Sequence, residues 1–133
     1  MAQKVRIGVY GVAMNDGHLL LTQLWDRDPA PRRWTLPGGG MDFGEEPRQT
    51  LTREFYEETG LTPEIGEVVD VLSFLPRPDF HVIQIIYQVE ARGEPVVIEQ
   101  EGSTIDARWV PTTQLDDIAT VGLVDHVRRI GRW

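Results

Sequence analysis

The sequence predicts an α/β fold, a mixed β-sheet held between helices, and three observations carry that expectation. Apolar, β-branched runs recur at 5–14, 18–25, 64–75 and 80–91 with turn residues between them, which is the composition of strands. A glycine-rich stretch leads into residues 45–59, which hold no glycine, carry Pro47 where a first helical turn accepts one, and stop at Gly60. Towards the end, Val121, Val124, Val127 and Ile130 recur at roughly helical spacing. Strands, a helix, more strands and a final helix, in that order, give a sheet covered on both faces, an α/β/α sandwich.

Taken in order, residues 5–14 read as a buried strand and Asn15-Asp16-Gly17 as a turn into a second strand at 18–25, a hairpin. Residues 26–33 form a polar, proline-bearing loop. Its Arg27, Arg32 and Arg33 either face solvent, as arginine usually does, or contact a substrate phosphate. Trp34-Thr35-Leu36 is a short strand, and Pro37 with Gly38, Gly39 and Gly40 should then forbid regular structure and let backbone approach a ligand. Asp42, Glu45 and Glu46 fall where the positive end of a helix dipole favours anions. The helix itself has a thin apolar stripe, Leu51 and Phe55, with Tyr56 to one side. Beyond it, two strands flank a turn at Pro76-Arg77-Pro78, and the second, with Ile83, Ile85, Tyr87 and Val89 on one face, should be buried mainly on that side. A short strand-type segment at 94–99, a loop at 101–104, a last strand at 107–111 and a helix capped by Thr120 complete the expectation.

Length and composition fit one domain over residues 1–133. Hydrophobic content of 41% and charged content of 26% are ordinary for a globular chain. With no cysteine, neither disulfides nor thiolate metal sites are available, so oxygen or histidine must hold any metal. No apolar run reaches the roughly 18 residues of a membrane span, and the first residues lack a signal-peptide pattern, so a cytoplasmic protein is expected. A net charge of −8 argues against an extended nucleic-acid or anionic-membrane surface. Polyphosphates remain accessible to such a chain where metal ions supply positive charge locally. His18, His81 and His126 have no spacing that makes a site and read as structural or exposed, and nothing singles out Trp25 or Phe80 as a base-stacking residue.

The helix carries more acid than its own stability favours. Glu54, Glu57 and Glu58 stand at i, i+3 and i+4 and project from one face within a turn. Such like-charge pairs destabilise a bare helix by roughly 0.2–0.5 kcal/mol each, so a hard divalent cation with oxygen ligands is the natural compensation. Residues 53–58 alone read as well as a solvated acidic face with Arg53 as a surface ion-pair partner. The longer pattern is more specific. Gly39, Glu45, Arg53-Glu54, Glu57-Glu58, Gly60 and Leu61, at these intervals, resemble the Nudix box at every fixed position, with Phe55 where that family usually has a branched aliphatic. Arg108-Trp109-Val110-Pro111 followed by Leu115 also resembles the family's usual ending.

This resemblance implies a Nudix-like α/β/α sandwich and a metal-dependent hydrolase that cleaves the pyrophosphate linkage of a nucleoside diphosphate joined to another moiety. It implies Glu54, Glu57 and Glu58 as ligands of Mg2+, with Mn2+ as a possible substitute, and Glu54 as a candidate general base. The Gly38 carbonyl is a further ligand candidate, Arg53 orients the carboxylates, and Glu45 either pins the loop to the helix or touches metal. A later-loop glutamate is a further ligand or base in many members; Glu101 is the first choice here and Glu99 the second. The expected partner is a nucleotide, with a monomer or homodimer as the working unit. The alternative is a nucleotide-sensing module of the same fold that does not hydrolyse, for which lost box glutamates would be the sign. Substrate is less determined. Short chain length leans towards nucleoside triphosphates, oxidised ones included, whereas Pro76, placed 15 residues past Leu61, resembles a proline of ADP-ribose-hydrolysing members.

Overall fold

A computed structural model describes residues 2–25, 32–100 and 102–131. Its organising strand is β1 (Lys4–Asn15), long enough to serve three neighbours. It runs parallel to β6 (Phe80–Glu90) from Lys4↔Phe80 to Ala13↔Val89 and antiparallel to β4 (Gly38–Gly40) on its other edge. At its far end it turns into β2 (His18–Leu24). Asp16 and Gly17 both take positive φ at that turn, 49° and 73°, the conformation a tight two-residue hairpin requires.

The sheet runs in the order β3 (Trp34–Thr35), β2, β1, β6, β5 (Glu64–Arg77), and β7 (Thr104–Pro111) pairs with β2. Helix α1 (Pro47–Thr59) lies on one face, and α2 (Gly122–Ile130) with a 3-10 turn at Thr112–Asp117 lies on the other. Under α1, Leu51 and Phe55 close on Val9, Ala13, Leu20 and Val89. Under α2, Leu123, Val124 and Val127 close on Val12, Leu21, Leu36 and Ile86. The α/β/α sandwich is the observed architecture.

Five local expectations are corrected. Gly38–Gly40 is a strand, because glycine's missing side chain allows the close pairing with β1 that no larger residue would permit. A Cβ on Gly38 would lie 2.1 Å from the Val9 carbonyl oxygen. β6 is buried on both faces, with Val82 and Ile86 under one layer and Tyr87 and Val89 under the other. Two neighbouring strands and two helical layers leave it no solvent side. Residues 94–99 form no strand; the Val96 and Ile98 N–H groups instead donate to the carbonyls of Thr59 and Glu57 at 2.8 and 2.9 Å, satisfying the end of α1. The cap of α2 is Val121, not Thr120, whose hydroxyl reaches forward to Asp125 in the first turn. The turn expected at 76–78 lies at Pro78-Asp79, with Pro76 inside β5, an edge strand, where proline is tolerated.

Candidate active site

The site is assembled where α1 crosses β4. The chain enters α1 through Glu46, whose N–H donates to the Gln49 side chain at 2.9 Å, and Pro47 fills the first turn. Gly60, at φ 71°, ends the helix. Burial of Leu51 and Phe55 fixes its rotation, and that rotation turns Glu54, Glu57 and Glu58 into one cavity of about 440 Å3 shared with β4 and Glu99.

Arg53 anchors the loop to the helix. Its Nε and Nη2 donate to the two oxygens of Glu45 at 2.9 and 2.8 Å, a bidentate geometry that lysine does not reproduce. Its Nη1 donates to Glu54 at 2.8 Å, and Asp42 stands 3.4 Å from Nη2. Glu45 also accepts from the Asp42 N–H and the Thr50 hydroxyl. Hydrogen bonding from Arg53, then from Asp42, holds its carboxyl down at about 2. Of the two roles open to Glu45, the geometry supports the pin between loop and helix.

The three helix glutamates share less positive charge than Glu45 receives: Arg53 gives Glu54 a single hydrogen bond and stands 3.5 Å from Glu57. Glu58 is buried and accepts from the Gly38 N–H at 2.9 Å and the Thr104 hydroxyl at 2.8 Å. Those two donors favour the carboxylate, but loss of water outweighs them, and its carboxyl is pushed up to about 8. Glu54 is raised above the ordinary carboxylate range by burial, against the pull of Arg53. Glu57 is raised by burial and then by the neighbouring Glu99. Gly39 is a steric requirement of this arrangement: a Cβ there would sit 2.6 Å from Glu54 Oε2.

The β1–β4 register places Gly39 opposite Val9, with flanking bonds from the Gly11 N–H to Pro37 and from the Met41 N–H to Ile7. Gly38 and Gly40 therefore turn their backbone groups away from β1, as antiparallel pairing alternates. The Gly38 N–H meets Glu58 and the Gly40 carbonyl meets Arg53 at 3.4 Å, leaving the Gly38 carbonyl on the same edge as the glutamates.

Among the described residues no three acidic or histidine side chains already stand close enough to hold one ion. Glu58 is turned onto Gly38 and Thr104, and Glu54 onto Arg53. Glu101 and Arg27 lie outside the described residues. Glu99, the second choice, lines the cavity with Gly102 and Ser103. Arg32 stacks over the Trp25 ring at 4.2 Å, and neither it nor Arg33 is among the residues lining the cavity. His18, His81 and His126 bond to Asp16, Ser73 and Asp70, away from it. Thr104 and Arg6 are among the lining residues that the sequence reading did not single out. Thr104 is fixed by a contact 46 residues distant in sequence. Arg6 was legible only as the polar member of an otherwise apolar strand run.

The family model for the NUDIX domain matches residues 2–129. An RNA pyrophosphohydrolase of Roseobacter denitrificans is 49% identical over 43 residues, which cover 32% of this chain and 27% of that protein. An ADP-ribose pyrophosphatase of Methanocaldococcus jannaschii is 33% identical over 88 residues, covering 65% of this chain and 52% of that protein. These alignments span about a quarter to a half of the relatives' length. Among solved structures, a MutT NUDIX hydrolase from Burkholderia pseudomallei superposes with a TM-score of 0.78 at 25% identity, over 96% of this chain and 99% of that one. With its box intact, its sandwich observed and the family model matched almost end to end, the chain belongs to the Nudix hydrolase family.

Proposed function

We propose that this chain is a magnesium-dependent pyrophosphohydrolase that cleaves the diphosphate linkage of a nucleotide by attack of water at phosphorus. The observation carrying this reading is that Glu54, Glu57 and Glu58 are all present, all partly or fully buried, and all turned into one cavity whose adjacent cation, Arg53, is gripped by both oxygens of Glu45 and gives Glu54 one bond. Carboxylates raised by burial gain most from a cation, and an oxygen-only donor set suits Mg2+, with Mn2+ able to replace it. The residues present fit such an ion: Glu54, Glu57 and Glu58 would hold it, with the Gly38 carbonyl and either Glu99 or Glu101 as further donors.

When bound, a divalent ion neutralises phosphate oxygens and makes water easier to deprotonate. The chain's own residues do the rest. Arg53 holds Glu54 by one oxygen and leaves Oε2 facing the Gly39 backbone, where the general base of this reading stands. Gly38 and Thr104 fix Glu58, and the bare Gly38–Gly40 strip lets a phosphate chain approach the backbone without a side chain between. The same reading places the chain in the cytoplasm, acting on a nucleotide as a monomer or homodimer in one domain. No helix among the described residues is long and apolar enough to cross a membrane.

A substrate screen with magnesium tests it: nucleoside triphosphates, oxidised triphosphates, dinucleoside polyphosphates, 5′-triphosphate RNA and ADP-ribose. Turnover of at least one substrate, abolished by chelator and restored by magnesium, is expected. Binding without turnover of any of them would replace the hydrolase reading with the sensing one, and chelator-resistant turnover would remove the metal.

A further inference from the structure

Resting on the proposed hydrolase reading, we propose that Arg6 is a specificity-determining residue that binds a phosphate of the substrate beyond the pair handled at the glutamates. It would select a linear 5′-triphosphate over a two-phosphate nucleotide sugar. Among the described residues, Arg6 is the lone basic residue lining the main cavity, which also holds Glu54, Glu57, Glu58 and Glu99. Among the described residues it makes no hydrogen bond or ion pair, although four carboxylates share its cavity. Its guanidinium lies against Gly40 instead, where an added Cβ would sit 3.0 Å from Nη2 and 3.3 Å from Nε.

The cause of this separation is β4. Successive residues of a strand face opposite sides. Gly39 therefore faces the Glu54 carboxylate while Gly40 faces the Arg6 guanidinium. The glycine strip keeps acid and base from neutralising each other. Consecutive Cα atoms are about 3.8 Å apart, so a phosphate chain lying across the strip meets carboxylate-held charge on one side and a free guanidinium on the other. Gln84, opposite Gly8 on the neighbouring strand, adds an amide to the same wall. A guanidinium gains more from an anionic oxygen than from a neutral base edge, since charge-assisted hydrogen bonds are the stronger class, which assigns the subsite to phosphate and not to the nucleobase.

Calorimetric binding of magnesium tripolyphosphate and of magnesium ADP-ribose to the full chain separates the possibilities, because tripolyphosphate carries no base and ADP-ribose has only two phosphates. Arg6→Gln should weaken tripolyphosphate binding roughly tenfold or more and ADP-ribose binding less than about threefold, with Arg6→Lys retaining most of the affinity, as expected for loss of one charge-assisted contact. Gly40→Ala, which crowds the guanidinium without removing its charge, should fall between the parent and Arg6→Gln. Three results would overturn the assignment: no tripolyphosphate binding by the parent, binding within about twofold in Arg6→Gln, or equal losses for both ligands. Parent turnover is scored separately, so a chain that binds tripolyphosphate and cleaves nothing sinks the hydrolase reading while leaving this comparison intact.

Discussion

Two glutamates of the site are perturbed in opposite directions, and each leaves a signature in the pH dependence of stability. Glu45, held at about 2 by Arg53 against an ordinary value of 4.5, releases its proton more readily folded than unfolded. Its contribution is present above pH 4.5 and is lost as pH falls towards 2. Glu58 is the reverse. Raised from 4.5 to about 8 by burial, it keeps a proton in the folded chain that the unfolded chain has released. Metal-free stability should therefore fall as pH rises from about 4.5 to about 8 through this residue. Thermal melting in chelator across that window should show the decline, and Glu58→Gln should flatten it. An identical slope in parent and variant would mean that Glu58 is not the source. Arg53→Lys tests the fork directly: losing the bidentate grip on Glu45 while keeping the charge should cost about 10–100-fold in turnover, as orienting residues around metal ligands typically do. Parental turnover in that variant would reduce Arg53 to a surface partner.

At the scale of elements, α1 was legible and β4 was not, for physical reasons. The helix announces itself through Pro47, Gly60 and the Leu51–Phe55 stripe, all local signals, and its three glutamates face one way because helical geometry leaves no choice. β4 is three glycines, and local propensity reads glycine as loop; only pairing with Gly8, Val9 and Tyr10 makes it a strand. Val96-Val97-Ile98 misled in the opposite sense, a β-branched run whose backbone donors serve the end of α1. Strand alternation placed Val82, Gln84 and Ile86 on one face, but it could not say that both faces would be covered. The packing of α1 gives one stability prediction. Phe55→Ala should cost about 3–5 kcal/mol, the usual range for a fully buried aromatic, and a loss below about 1 kcal/mol in denaturant melts would show that the helix is held some other way. Gly38→Ala should be at least as disruptive as ordinary overpacking, about 1–3 kcal/mol, because it adds a Cβ against the Val9 carbonyl at a φ of 146°. Unchanged denaturant melts in that variant would place β4 farther from β1 than this pairing requires.

For the whole molecule, a net charge of −8 and an acidic cavity oppose a polyphosphate, so the proposed function requires that a bound cation offset that charge. Magnesium should raise the melting temperature by binding the folded state, worth about 2.7 kcal/mol at a hundredfold excess over its dissociation constant. An unchanged melt at saturating magnesium would mean that the folded cavity offers no site. The metal-holding role of the α1 glutamates is tested most directly by turnover at saturating magnesium measured together with metal-free melting for Glu57→Gln, Glu58→Gln and Glu45→Gln. The first two should lose on the order of a hundredfold or more in rate, beyond the usual cost of an outer-shell change, while their metal-free stability stays level or rises, for Glu57 as like-charge repulsion is relieved and for Glu58 as folding no longer requires a buried carboxyl to take up a proton. Glu45→Gln should lose little rate and some stability, since its carboxylate pins Arg53. If Glu57→Gln and Glu58→Gln both turn over substrate at near-parental rates, these carboxylates are a solvated helix face and the metal site lies elsewhere.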